Sequence, residues 1–141
     1  MILFPENTLK VIIRESEEAF PNEACGLLLG KRQGANVHIA SVHVSRNLAD
    51  TPRTRFEVDP QLRFNLERFA RGKGLDVVAV YHSHPNGMAR PSEVDLSKAH
   101  EPSLIWIIVA LESGKVADRR AYRLDGLDMQ FAEVGIQIEN S

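Results

Sequence analysis

Cysteine is nearly missing from this chain of 141 residues: Cys25 is the only one. One thiol cannot close an internal disulfide, so the fold must rest on its hydrophobic core. A reducing compartment such as the cytoplasm suits it. Positive charge is not in excess either. Lys and Arg total 17 against 19 Asp and Glu, a formal net charge of −2. That supplies no basic field to hold nucleic acid or an anionic membrane. Long apolar runs are lacking too. The longest, Leu104 to Leu111, falls far short of the ~20 residues needed to span a bilayer. The opening Met1-Ile2-Leu3-Phe4-Pro5-Glu6 shows no basic segment followed by a long apolar stretch, so no signal peptide is expected. Repeats, low-complexity tracts and linker-like shifts in composition are also absent. The rest is ordinary for a globular protein, with 43% apolar and 26% charged residues. The length suits one domain over residues 1–141 with a core of its own.

Apolar spacing predicts a first helix over Glu6–Phe20, with Leu9, Ile12, Ile13, Ser16 and Phe20 on one face and Pro21 ending it. Ala24–Lys31 and Val37–Val44 read as strands joined at Gly34-Ala35-Asn36, a hairpin. Asn47–Thr54 reads as a loop and Arg55–Val58 as a short strand. A second helix is expected over Pro60–Arg71, with Leu62, Leu66 and Phe69 inward, Pro60 in its first turn and Gly72 stopping it. Val77–Tyr81 is continuously apolar, as in a central strand covered on both faces. A short helix from Ser92 to about His100 follows, then a buried strand over Leu104–Leu111. Turns at Ser113-Gly114-Lys115 and Asp125-Gly126 lead to strands near Ala117–Leu124 and Met129–Ile136. Helices interleaved with a mixed sheet imply an α/β or α+β layered domain. The last strands suit a homodimer edge and a core position equally well.

The chemistry concentrates between His82 and Asp95. His82 and His84 stand two apart at a strand end, so their rings share one face and can approach one metal ion. Pro85 then turns the chain. Asp95 lies in the first turn of the next helix, and its carboxylate completes three protein ligands if that helix packs over the strand end. Two nitrogens, one oxygen and an open position describe a catalytic zinc site, and a closed cysteine-rich site is ruled out. Each piece has a plainer reading. A lone His-x-His is more often polar surface. Ser92-x-x-Asp95 is also a capping box, with Ser92 as the N-cap. The two readings of Ser92 and Asp95 are compatible.

The stretch His82-Ser83-His84-Pro85, with Pro91-Ser92 and Asp95 downstream, resembles the JAMM motif His-x-His-Pro-x5-Pro-Ser-x2-Asp at every specified position. Upstream, Pro21-Asn22-Glu23-Ala24-Cys25-Gly26-Leu27-Leu28-Leu29-Gly30 is similar to the Pro-x-Glu-x-Cys-Gly-Leu-Leu-x-Gly segment of short prokaryotic JAMM/MPN+ metallopeptidases. The resemblance covers nearly the whole chain. It implies a curved mixed β-sheet flanked by helices, similar to cytidine deaminases, although the Pro-Cys-x-x-Cys half of the deaminase zinc signature is missing. It implies one Zn²⁺ per chain on His82, His84 and Asp95, with Glu23 as general base and the Ser92 hydroxyl stabilising the oxyanion. Cys25, within the upstream segment, is expected to be a small buried strand residue rather than a metal or redox group. His38, His43 and His100 are expected to be surface or structural, with His100 the one that could lie near the site.

Family members cut peptide or isopeptide bonds at the C-terminal tails of ubiquitin-like and sulfur-carrier proteins. Few residues separate the motif helix from Trp106, and the loop Asn47–Thr54 is short, so there is no room for the insertions that grip ubiquitin in dedicated deubiquitinases. The expected partner is the tail of a small β-grasp sulfur carrier, with Arg53, Arg55 and Phe56 as candidate contacts. Two other readings stand beside it: a non-catalytic scaffold of the MPN type, and a peptidase acting on other short peptides such as cell-wall peptides.

Overall fold

The computed structural model describes residues 1–125 and 130–140. Its elements run β1 (Ile2–Pro5), α1 (Glu6–Ala19), β2 (Cys25–Gln33), β3 (Asn36–Ser45), α2 (Pro60–Ala70), β4 (Asp76–His84), α3 (Glu93–Lys98), β5 (Ile105–Glu112), β6 (Lys115–Asp125), β7 (Gln130–Val134) and β8 (Ile136–Glu139). The strands make one mixed sheet of eight in the order β7-β6-β5-β4-β2-β3-β1-β8. The α+β layered expectation holds.

Alternation along the central strands sends apolar side chains to two separate cores. Leu28, Ala79, Tyr81, Ile105, Ile107 and Val109 face the core under α1, together with Leu9 and Ile12. Leu27, Leu29, Val80, Trp106 and Ile108 face the opposite core with Leu66 and Ala70 of α2. This is why β2, β4 and β5 read as unbroken apolar runs: both faces are covered. It also decides the site, because continuing the alternation from Val80 puts His82 and His84 on the α2 face.

The hairpin β2–β3 forms as expected, with Gly34 at φ 61° in its turn, a left-handed conformation that favours glycine. Four expectations need correction. Arg55–Val58 is not a strand; Val58 makes only an isolated bridge with Asn47. Phe69 does not point inward. It is 55% exposed, and α2 packs through Leu66 and Ala70, with Leu62 partly buried. Phe20 lies just beyond α1 and is half-exposed rather than on its buried face. The last strand near 129–136 is two strands split at Gly135, with β7 on β6 and β8 running parallel to β1 at the far end of the sheet order. Gly126 and Met129 lie outside the described residues. The short β1 was not expected at all. It is a parallel strand held between β3 and β8. No helix among the described residues is long and apolar enough to cross a membrane.

Candidate active site

His82 and His84 end β4, where the pairing with β5 closes at His84–Ala110. Asp95 is delivered by α3, a helix of six residues that depends on its cap. Ser92 Oγ accepts from the Asp95 amide at 3.0 Å, and the Asp95 carboxylate accepts from the Ser92 amide at 2.9 Å, so the expected capping box forms. The same oxygen, Asp95 Oδ2, lies 3.1 Å from His82 Nε2 and 3.1 Å from His84 Nε2, and the two nitrogens are 3.0 Å apart. One atom, Asp95 Oδ2, thus closes the capping box and faces both imidazoles.

That triangle is the basis for a metal-fit test. Two ligands on one tetrahedral zinc, each bond about 2.0 Å, are separated by about 3.3 Å. The observed edges are close to this, and the donor set is the one a catalytic zinc takes. His84 Nδ1 lies 2.7 Å from the Met88 carbonyl, an acceptor only, so Nδ1 carries the hydrogen and Nε2 faces the triangle. A carboxylate oxygen and two imidazole nitrogens converging at about 3 Å make a group that a cation would stabilise. Burial disfavours the charged His84, but the Asp95 hydrogen bond and the Met88 carbonyl outweigh it and raise its pKa. Burial dominates at His82 and pushes its pKa down. Burial also opposes the Asp95 carboxylate, yet the hydrogen bonds from His82 and His84 hold it well below the usual carboxylate range.

Glu23 precedes β2, at the point where Cys25 pairs with His82. Ser83 fixes this junction from between the two histidines. Its Oγ accepts from the Ala24 amide at 2.7 Å, and its own amide donates to the Ala24 carbonyl at 3.0 Å. The Glu23 side chain is buried, and its Oε1 has no hydrogen-bond partner among the described residues. Burial pushes its pKa up to about 7, with His84 and Lys98 pulling down and Asp95 pushing up. A buried carboxyl with a raised pKa, in the field of His84 and Asp95, is the kind of group that general acid–base chemistry uses.

Cys25 is buried and its thiol is pushed up to about 12 by burial, the state of an inert core residue. His38, His43 and His100 stay out of the ligand group. His43 instead bonds Ser41 Oγ at 2.8 Å. Arg53 and Arg55 are exposed, as a substrate contact requires. Phe56 is not: it is buried and stacks on the His82 ring with centroids 4.2 Å apart. The sequence reading missed Ser83 and Asn47, whose partners are distant along the chain.

A profile described as prokaryotic homologs of the JAB domain matches residues 5–125. The chain belongs to this family. The JAB family is zinc-dependent, and His82, His84 and Asp95 form a group that could hold a metal ion. Among its JAB relatives is a desampylase of Haloferax volcanii, 29% identical over 84% of this chain and 80% of its own. Another is a probable TtuB-protein conjugate cleaving protease of Thermus thermophilus, 34% identical over 67% of this chain and 57% of its own. A solution structure of a Desulfitobacterium hafniense protein matches with a TM-score of 0.87 and 30% identity, covering 100% of this chain and 94% of its own. A JAB1/MPN domain protein from Archaeoglobus fulgidus shares the fold at a TM-score of 0.58 and 20% identity, over 99% of this JAB chain and 98% of its own.

A cleft of about 780 Å³ lies on the far side of the loop that follows His84, and none of Glu23, His82, His84, Ser92 or Asp95 lines it. One wall is the loop Asn86–Arg90 that follows His84, and the other is the end of β5 with β6. Gly87 keeps the loop close: a Cβ there would meet His84 Cβ at 3.3 Å.

Proposed function

We propose that this chain is a zinc-dependent hydrolase that cuts a peptide or isopeptide bond at the C-terminal tail of a ubiquitin-like or sulfur-carrier protein. The observation that carries the reading is the convergence of His82, His84 and Asp95 in one triangle of about 3 Å edges, with the buried Glu23 carboxyl, whose Oε1 has no hydrogen-bond partner among the described residues, in the same electrostatic field. The conjugate-cleaving activity in the name of the Thermus relative supports the substrate class. All five site residues come from one chain, so the reading needs no second copy. Residues 1–141 are taken as a single domain acting in the cytoplasm.

His82, His84 and Asp95 would hold one zinc ion. Bound there, zinc polarises a carbonyl and lowers the pKa of a water from 15.7 to about 7. The remaining steps fall to the chain's own residues. Glu23 takes the proton of the attacking water and returns it to the leaving amine nitrogen. Ser92 Oγ spends a lone pair on the cap, which leaves its O–H free to donate to the oxygen of the reacting carbonyl.

The test is incubation of the zinc-loaded protein with a β-grasp sulfur carrier bearing one or two extra C-terminal residues, and with the same carrier joined to a lysine, read by intact mass. Release of the extension or the lysine is expected, and Glu23→Gln should abolish it. Cleavage of long ubiquitin chains with no action on either carrier substrate would overturn the substrate class. Zinc binding without cleavage of any of them would favour the scaffold.

A further inference from the structure

His82 lacks the usual means of orienting a metal-binding imidazole. Such a ring normally donates its second N–H to a carboxylate or carbonyl. Here Nδ1 is buried and has no hydrogen-bond partner among the described residues. Aromatic packing takes that place. Phe56 stacks on one face at 4.2 Å and an interplanar angle of 16°, and Trp106 meets the ring edge-on at 5.6 Å and 88°.

Trp106 is locked in β5, but Phe56 belongs to no strand or helix. One side chain holds its segment. Asn47 Nδ2 donates to the Arg55 carbonyl at 2.9 Å, and Asn47 Oδ1 accepts from the Glu57 amide at 3.0 Å, so both neighbours of Phe56 are tied to one amide. The same Nδ2 donates to the Glu23 carbonyl at 3.0 Å, and Oδ1 also accepts from Ala49 at 3.0 Å. All four bonds that an Asn side chain readily makes are used. Two further bonds tighten the assembly: the Glu23 amide donates to the Pro52 carbonyl at 2.7 Å, and Lys98 Nζ donates to the Phe56 carbonyl at 3.0 Å from the helix that carries Asp95.

We propose that Asn47 and Phe56 are positioning residues that form one brace, Phe56 setting the His82 ring and Asn47 fixing Glu23 relative to it. The proposal rests on the hydrolase reading above. It gives the 47–58 segment an inward task. Glu23, His82 and the Asp95 helix come from separate parts of the chain, and each touches this segment: Glu23 through Asn47 and Pro52, His82 through the Phe56 ring, and the helix through Lys98 on the Phe56 carbonyl. A general base must be held against its water with sub-ångström accuracy, and one amide bonded to both partners does this without a larger scaffold.

The two halves of the brace predict different losses. In chelator competition, Phe56→Leu should weaken zinc binding about 10–100-fold, the usual effect of removing a group that orients a ligand. Phe56→Tyr, which keeps the stacking face, should stay close to the parent. Asn47→Asp keeps the shape and the two accepted bonds but loses both donated ones. It should weaken zinc binding less than Phe56→Leu, because the stacking ring remains, and lower kcat about 10²-fold with KM unchanged, as a displaced base would. Thermal melts check that each variant folds, and if Phe56→Leu does not, the Asn47→Asp kcat–KM split decides. Parent-like zinc affinity in Phe56→Leu, or parent-like kcat in Asn47→Asp, overturns the brace while the hydrolase reading stands. A parent that takes up no zinc and cleaves nothing overturns both.

Discussion

Burial holds the Glu23 carboxyl near neutrality in the metal-free protein, raised from an ordinary 4.5 to about 7. Between those values the folded chain binds more protons than the unfolded one, so stability falls as pH rises through that window. Glu23→Gln removes the penalty. Above pH 7 the metal-free variant should be more stable than the parent by about 1–3 kcal/mol, with the gain vanishing below pH 4.5, as urea melts across pH would measure. The same variant should keep zinc and lose about 10²–10⁴-fold in kcat. A residue that costs stability and is retained at the centre of a site fits a catalytic role better than a structural one. His84 predicts a pH effect of another kind. The proton it shares with Asp95 must leave when metal enters, so zinc affinity should fall as the medium becomes more acidic, by titration calorimetry. At this scale the convergence of His82 and His84 was legible because their spacing states the geometry: i and i+2 on a strand share a face. Glu23 was legible only through a family pattern. Asn47 and Phe56 were not, because the bonds that matter reach back to Glu23, 24 residues away, and across to another strand.

The helix α3 has six residues, too few to hold its shape without its ends, and its capping box both caps the helix and aims the Asp95 carboxylate at the two histidines. Ser92→Ala should therefore show two effects: about 0.5–2 kcal/mol lost in stability and about 10²–10³-fold lost in kcat. Loss of stability alone would remove Ser92 from the chemistry. In β2, Gly26 lies beside Cys25 at the site end of the strand. A Cβ there would stand 2.5 Å from both the His43 carbonyl and the Tyr81 ring. Gly26→Ala should cost about 1–3 kcal/mol in a denaturant melt by forcing β3 or Tyr81 aside. The long apolar strands and both main helices were read correctly, since periodicity reports burial directly. Short β1 and β8 escaped because a strand of four residues carries too few alternations to register. Arg55–Val58 has a strand-like composition, but the Asn47 side chain takes the hydrogen bonds that a neighbouring strand would have supplied. Phe69 failed for a third reason. The contact face of α2 runs through Leu66 to the small Ala70, while Phe69 projects beside it under the Lys73 ammonium, 4.9 Å from the ring centroid.

Across the whole molecule, the sheet places the site where β2, β4 and α3 converge, with a separate apolar core on each face of the strands beneath it. The strand order and the split of the C-terminal segment at Gly135 are set by pairings between residues far apart in the chain, which no local pattern encodes. A metal on His82, His84 and Asp95 would tie β4 to α3, so it should act on the fold as well as on the reaction. At free zinc 1,000-fold above Kd, binding contributes about 4 kcal/mol, and stripping it with a chelator should lower Tm by roughly 10 °C. The most direct measurement is elemental analysis of the purified parent beside His84→Ala, with and without added zinc. About one zinc per chain in the parent, lost in the variant, is the result this account predicts. A parent that holds no metal even when zinc is supplied would contradict it, and the triangle of His82, His84 and Asp95 would then be a structural hydrogen-bond cluster.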